Sequence, residues 1–266
     1  MPEEVFELEL MGGGMERRYR RMRPEVEQMP WATLDPSLYP EASVLAALQA
    51  WTAAAFQEHR TAAACAATLR ALVAVRAPLD LLALAARFPL DELVHVELCA
   101  RMAMQLGGAT ELIHDPDDLW FDPDRSLSPM VRAGDLVVRY FCVSEAISIP
   151  VLRETCRAAV HPLSKAVLAR IVRDEAAHGA FGWMFLDWAL PHIDQAGIAV
   201  LTAAAEDALR QLRRTWDEIR RRPPVIASEV NALGWLETAE YLTLVDRSLE
   251  SNVLAPLRRR GIVPRP

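Results

Sequence analysis

Strong helix formers fill long stretches of this chain, and nowhere do apolar and polar positions alternate as a half-buried strand requires. The first stretch turns helical near Glu41. Its sequence SVLAALQAWTAAAFQEHRTAAACAATLRALVAV holds neither Gly nor Pro and predicts a helix over about 44–75. RAPLD breaks the pattern at Pro78, and Asp80 is placed to cap a second helix over about 79–106. Gly107-Gly108 ends that helix, and Pro89 inside it predicts a kink or a fresh start. Residues 109–129 read as non-helical. A third helix is predicted over about 131–160, stopping near His161-Pro162, and a fourth over about 163–190, stopping at Pro191. Two more are predicted over about 195–222 and 235–258, separated by Pro223-Pro224. Residues 1–41, with Gly12 to Gly14 and prolines at 30, 36 and 40, read as irregular.

Link lengths then suggest the architecture. Helices one and two have a short link, as do three and four, whereas about twenty residues separate two from three. Short links join antiparallel neighbours, and a long one can cross the length of a bundle. The expected fold is all-α. An irregular N-terminal arm spans 1–43, a four-helix bundle with one long crossover spans 44–192, and a C-terminal extension of two helices spans 193–266 and packs on the bundle.

Composition changes this picture little. Of 266 residues, 52% are hydrophobic, enough for a sizeable core. The net charge of −7 argues against a nucleic-acid partner, and the basic run MERRYRRMR, Met15 to Arg23, reads as a solvated arm. Lys165 is the only lysine, a bias that fits a GC-rich bacterial genome. Cys65, Cys99, Cys142 and Cys156 form no CxxC pair, which fits a reducing cytoplasm. The start MPEEVFELEL lacks the basic-then-apolar pattern of a signal peptide, and no uncharged apolar run reaches membrane-spanning length.

The chemistry is concentrated in two stretches. DELVHVEL begins at Asp91 and DEAAHGAF at Asp174, and each sets a histidine three residues after a glutamate. Positions i and i+3 share a helix face, so Glu92 points with His95 and Glu175 with His178. Each pair can hold a divalent metal, and a shared carboxylate can join two metals into one centre. Such a bundle needs one more glutamate from each remaining helix. Glu58 is the sole glutamate between Val44 and Val75, and Glu145 lies in the apolar setting FCVSEAISIP. A buried carboxylate there needs a partner. Glu58 lies 34 residues before Glu92, and Glu145 lies 30 before Glu175, so both hairpins bring their glutamates to similar depth. The predicted ligands are Glu58, Glu92, His95, Glu145, Glu175 and His178.

Asp91 and Asp174 precede the two glutamates, each positioned to accept the second N–H of the histidine on the opposite helix. Glu97 lies off the metal face and reads as structural or solvated, and His114, His161 and His192 read as surface residues. Cys99 and Cys142, one turn from His95 and Glu145, are expected to line a substrate pocket with Phe141, Ile149 and Ile171; a small-residue core would serve each equally well. Pro150 should distort the third helix near the metals, where a π-bulge would suit a functional site.

The order Glu…ExxH…Glu…ExxH resembles the ferritin-like superfamily of di-iron carboxylate proteins, over roughly residues 44–190. The resemblance implies two Fe ions cycling between Fe2+ and Fe3+, with O2 as co-substrate. Ribonucleotide reductase small subunits carry a tyrosine where Cys99 stands. Bacterial multicomponent monooxygenases share that cysteine and the DExxH form, but have a threonine where Ile149 stands. Amine N-oxygenases add a histidine where Ile171 stands, and the CxxC module of rubrerythrins is missing. Ferritins have little beyond the bundle, whereas this chain carries extensions on both sides. The reading favoured is an oxygenase or oxidase acting on a small organic substrate. Its electrons come from a separate reductase, since the chain has no flavin or iron–sulfur motif, and a homodimer is compatible. A ferroxidase or iron-handling protein, and a non-catalytic metal-stabilised scaffold or partner-binding protein, are the alternatives.

Overall fold

A computed structural model describes residues 3–221 and 227–265. The described residues are all-α apart from one two-residue bridge, Glu4–Val5 (β1) antiparallel to Ile113–His114 (β2), which alternation could not have revealed at that length. Helices α1 (Gly13–Met22) and α2 (Pro24–Glu27) come first. The long helices α3 (Glu41–Ala74) and α4 (Leu79–Gln105) form an antiparallel hairpin. A third rod follows in three parts: α5 (Pro129–Val137), a π-helical segment over Val138–Glu145, and α6 (Ala146–Ala158). It pairs with α7 (Pro162–Ala189). The hairpins close into a four-membered ring through α4 against α7 and α3 against α5.

The C-terminal part adds α8 (Gln195–Arg220), α9 (Ala227–Ala232), α10 (Thr238–Ser248), a second π turn over Leu249–Leu254, and α11 (Ala255–Arg259). Helix α8 packs on the π segment of the third rod, and α10 packs on α6. The expected break at Pro223-Pro224 lies outside the described residues. Among the described residues, no helix is long and apolar enough to cross a membrane.

Several expectations need correction. The irregular arm contains α1 and α2, because Gly13 and Gly14 sit at the very start of α1 and the eight residues after them, Met15 to Met22, hold neither Gly nor Pro and coil. Its basic stretch is not wholly solvated. Arg23 is 1% exposed and pairs with Glu27 and with Glu97, the latter at 2.6 Å. Glu97 is therefore structural, tying this segment to α4. Helix α4 runs through Pro89 without a break, so no fresh start occurs there. The third rod does carry a π segment, ending at Glu145, five residues before Pro150. There the Ser148 hydroxyl donates to the Glu145 carbonyl at 3.2 Å.

Two apolar clusters hold the ring together, one toward each end of α3, α4 and α7. One gathers Phe88, Phe141, Phe181, Phe185, Leu186 and Leu201; the other gathers Trp51, Leu98, Met102, Leu163, Val167 and Ile171. Along α4, Phe88 belongs to the first and Cys99 to the second, with Glu92 and His95 between them. Along α7 the order reverses, from Ile171 through Glu175 and His178 to Phe181. A belt of carboxylates and imidazoles thus crosses the middle of the bundle between two greasy halves.

Candidate metal centre

All six predicted ligands converge in this belt. Glu58, Glu92, His95 and Glu175 form one group and Glu92, Glu145, Glu175 and His178 another, with one donor atom from each residue within 4.8 Å of the others. Glu92 and Glu175 belong to both. His95 Nδ1 lies 3.3 Å from Glu92, 3.3 Å from Glu175 and 3.8 Å from Glu58. His178 Nδ1 lies 3.0 Å from Glu92 and 3.2 Å from Glu175. Glu92, His95 and His178 are 0% exposed, Glu175 2%, Glu145 7%; the Glu58 side chain, at 19%, is the most open.

Burying so many charges is costly unless each finds a partner. Yet both Glu92 oxygens, Glu175 Oε2 and the Nδ1 atoms of His95 and His178 have no hydrogen-bond partner. These atoms face one another at the centre of the belt. That is a donor set divalent cations could satisfy.

The proton balance carries the same message. Burial pushes the Glu58 carboxyl up to about 8, the nearby Glu92 and Glu175 charges adding to the effect. Burial, then the charges of Glu175 and Glu92, raises Glu145 well above the usual carboxylate range. Burial also opposes charge on Glu92 and Glu175, but the two histidines outweigh it and hold both below that range. For the imidazoles, burial favours the neutral form, and the surrounding carboxylates prevail. His178 is raised to about 12 and His95 well above its usual value. Protons stand where cations would bring the same neutralisation.

Behind the histidines lie the two aspartates, each crossing to the opposite helix. His95 Nε2 is 3.3 Å from Asp174 and His178 Nε2 is 3.6 Å from Asp91. Both imidazoles therefore keep Nδ1 toward the glutamates. Arginines hold the aspartates in turn: Arg170 Nε donates to Asp174 at 2.7 Å, and Arg87 Nε lies 2.9 Å from Asp91. Glu25 of α2 completes this chain by accepting from Arg170. The arginines escaped the motif, although the signal was present. RFPLDELVH and RIVRDEAAH show that the duplicated unit is Arg-x3-Asp-Glu-x2-His, with Arg and Asp one turn apart on each helix.

The predicted pocket residues divide. Cys99 and Ile171 line a pocket of about 90 Å³ together with Glu58, Trp51, Trp235 and Leu236. Phe141, Cys142 and Ile149 do not line it. Phe141 packs tilted against Phe88 and edge-on against Phe181, ring centres 5.5 and 4.8 Å away, and Cys142 packs in the same cluster. The reason is the π segment. Its wider turn holds more residues than an α turn, so three residues no longer return Cys142 to the face of Glu145. Ile149 is buried against α7 at Gly179, where an added Cβ would meet its Cδ1 at 2.4 Å. Phe88, which carries no motif signal, lies with its ring centre 4.2 Å from that of His178.

Of the histidines expected at the surface, His192 is exposed, His161 caps α7 by accepting from the Leu163 N–H, and His114 is half-buried against Phe56. No model of a known protein family matches this chain, and no curated protein matches it in sequence.

Proposed function

We propose that this chain is a ferritin-like di-iron protein, an O2-dependent oxygenase or oxidase of a small organic substrate. The observation that carries this reading is the pair of four-residue ligand groups sharing Glu92 and Glu175. Two hairpins with a single long connection between Gln105 and Pro129 support the ferritin-like topology. Four ionised glutamates with two neutral imidazoles balance two divalent cations, which supports a two-metal rather than a one-metal site.

Glu58, Glu92, His95 and Glu175 would hold one iron, and Glu92, Glu145, Glu175 and His178 the other. When bound, the pair supplies redox chemistry toward O2, with electrons from a separate donor protein. The chain's own residues set the stage. His95 Nε2 would donate to Asp174 at 3.3 Å, and Asp91 stands 3.6 Å from His178 Nε2, so that both Nδ1 lone pairs face the metal side. Phe88, Phe141 and Phe181 keep water from the His178 side. The apolar pocket at Glu58 favours an organic substrate over iron storage, since a mineral core needs polar walls.

Anaerobic Fe(II) titration followed by O2 tests the reading. Two Fe(II) should bind per chain and O2 should be consumed, with no continued oxidation of added Fe(II). Sustained turnover of excess Fe(II) would make the protein a ferroxidase instead. Metal binding with no O2 consumption would remove both enzymatic readings.

A further inference from the structure

The ligand set is nearly symmetric, but the space around it is not. On the His178 side, Phe88 covers the imidazole and packs with Phe141 and Phe181, all at most 1% exposed. On the His95 side lies the pocket of about 90 Å³. Its lining includes Glu58 but neither Glu145 nor His178. Cys99 lies one turn beyond His95 on α4, and Ile171 one turn before Glu175 on α7, so the pocket reaches the belt at the Glu58–His95 end.

We propose that this pocket binds the organic substrate, that the substrate is a small apolar molecule, and that the C-terminal segment forms one of its walls. The proposal rests on the di-iron reading for what becomes of the bound molecule, not for its binding. Trp51, Ala54, Leu168 and Ile171 supply apolar wall from the bundle. Of the polar lining groups, the Thr155 hydroxyl is spent on the Val151 carbonyl at 2.8 Å, and the Trp235 indole N–H lies buried without a hydrogen-bond partner. Glu58 is the one carboxylate, and it belongs to the metal belt. A dry apolar cavity of about 150 Å³ takes benzene, so this one suits a molecule of roughly four non-hydrogen atoms.

The wall from outside the bundle is built in, not draped over. Trp51 Nε1 donates to the Leu233 carbonyl and Ser164 Oγ to the Ala232 carbonyl, both at 2.9 Å. Gly234 sits between them with φ +91, and a Cβ there would come within 2.8 Å of the Trp51 ring. Only glycine fits that turn. It seats Trp235 edge-on against Trp51, ring centres 5.0 Å apart, and turns Leu236 into the pocket. Residues 234–236 thus set the length of molecule the pocket admits.

Ligand-observed NMR on the full-length chain tests this, with isobutene as the probe and benzene and n-hexane as size controls. Isobutene should bind the metal-free protein, and the two larger molecules roughly tenfold or more weakly. Ala54→Leu and, independently, Leu152→Phe fill the pocket from α3 and from α6. Each should weaken isobutene by roughly tenfold or more while leaving metal stoichiometry unchanged. With Co(II) loaded, the methyl signals of bound isobutene should relax faster, as they would beside the Glu58–His95 group. Binding that persists undiminished in both filled variants, or no binding to the wild-type chain, would overturn the proposal. Isobutene binding in a chain that takes up no Co(II) would uphold the pocket and remove the di-iron reading alone.

Discussion

Glu92 and Glu175 each sit within reach of both histidines, whereas Glu58 and Glu145 each serve one group only. The four glutamates should therefore respond differently to substitution. Glu145→Ala should lower metal content from two ions per chain to one, read by elemental analysis after dialysis; retention of two would remove Glu145 from the ligand set. The aspartates act through the histidines. Asp174→Ala should weaken metal binding by about 10–100-fold. Asp91→Ala should cost less, since its oxygen stands 3.6 Å from His178 against 3.3 Å for Asp174 and His95. Equal losses would mean that these distances do not set histidine orientation. The clustering of these six side chains was legible in the sequence because helical spacing fixes which side chains share a face. Phe88 was not, because contact with His178 depends on how α4 and α7 approach each other, which spacing along one helix does not encode.

At the scale of elements, the π segment over Val138–Glu145 decides where the third rod points its side chains. It ends on Glu145, and the Ser144 hydroxyl donates to the Arg139 carbonyl, five residues back, at 3.1 Å. Gly182 on α7 lets the rod approach this segment. An added Cβ there would come within 2.8 Å of the Cys142 sulfur and 2.9 Å of the Phe141 Cβ. A π turn behaves as a one-residue insertion in an α-helix. Deleting Val143 should restore α-helical register, keep helical content by circular dichroism, and misdirect Glu145 so that one metal is lost. A deletion variant that binds two metals would show that the segment does not position the ligand. The long helices were readable because α3 holds neither Gly nor Pro, and α7 runs from Pro162 to Ala189 interrupted only by Gly179 and Gly182. The distortion was foreseen only as a consequence of Pro150. Its position before the proline, and its effect on Cys142, depend on packing against α7 and α8. The short helices α1 and α2 were missed because glycines and prolines at their starts mark loops as readily as helix N-termini.

The whole molecule spends stability on its site. In the metal-free chain Glu58 is raised from 4.5 to about 8 and His178 from 6.5 to about 12. Both shifts mean that the folded state holds protons the unfolded state releases. Their stabilising contribution is full below the unfolded values and is lost as pH rises through the folded ones. The metal-free protein should therefore melt at progressively lower temperature from about pH 6 to about pH 9. Divalent metal must displace those protons, so its stabilising effect should grow over the same range. A melting temperature of the metal-free chain that rises with pH would contradict the proton balance. The C-terminal contribution to the pocket is also a whole-molecule property. Trp235 and Leu236 are far in sequence from Glu58 and meet it only because the Leu233 and Ala232 carbonyls are tied to Trp51 and Ser164. No local pattern announces that. The central claim remains that one belt of six side chains holds two metals through shared carboxylates. A crystal structure of the iron-loaded protein, with anomalous scattering measured at the iron edge, tests it most directly. The account predicts two peaks roughly 3.5–4 Å apart, both in contact with Glu92 and Glu175, one beside His95 and the other beside His178. A single peak, or iron bound away from these two glutamates, would contradict it.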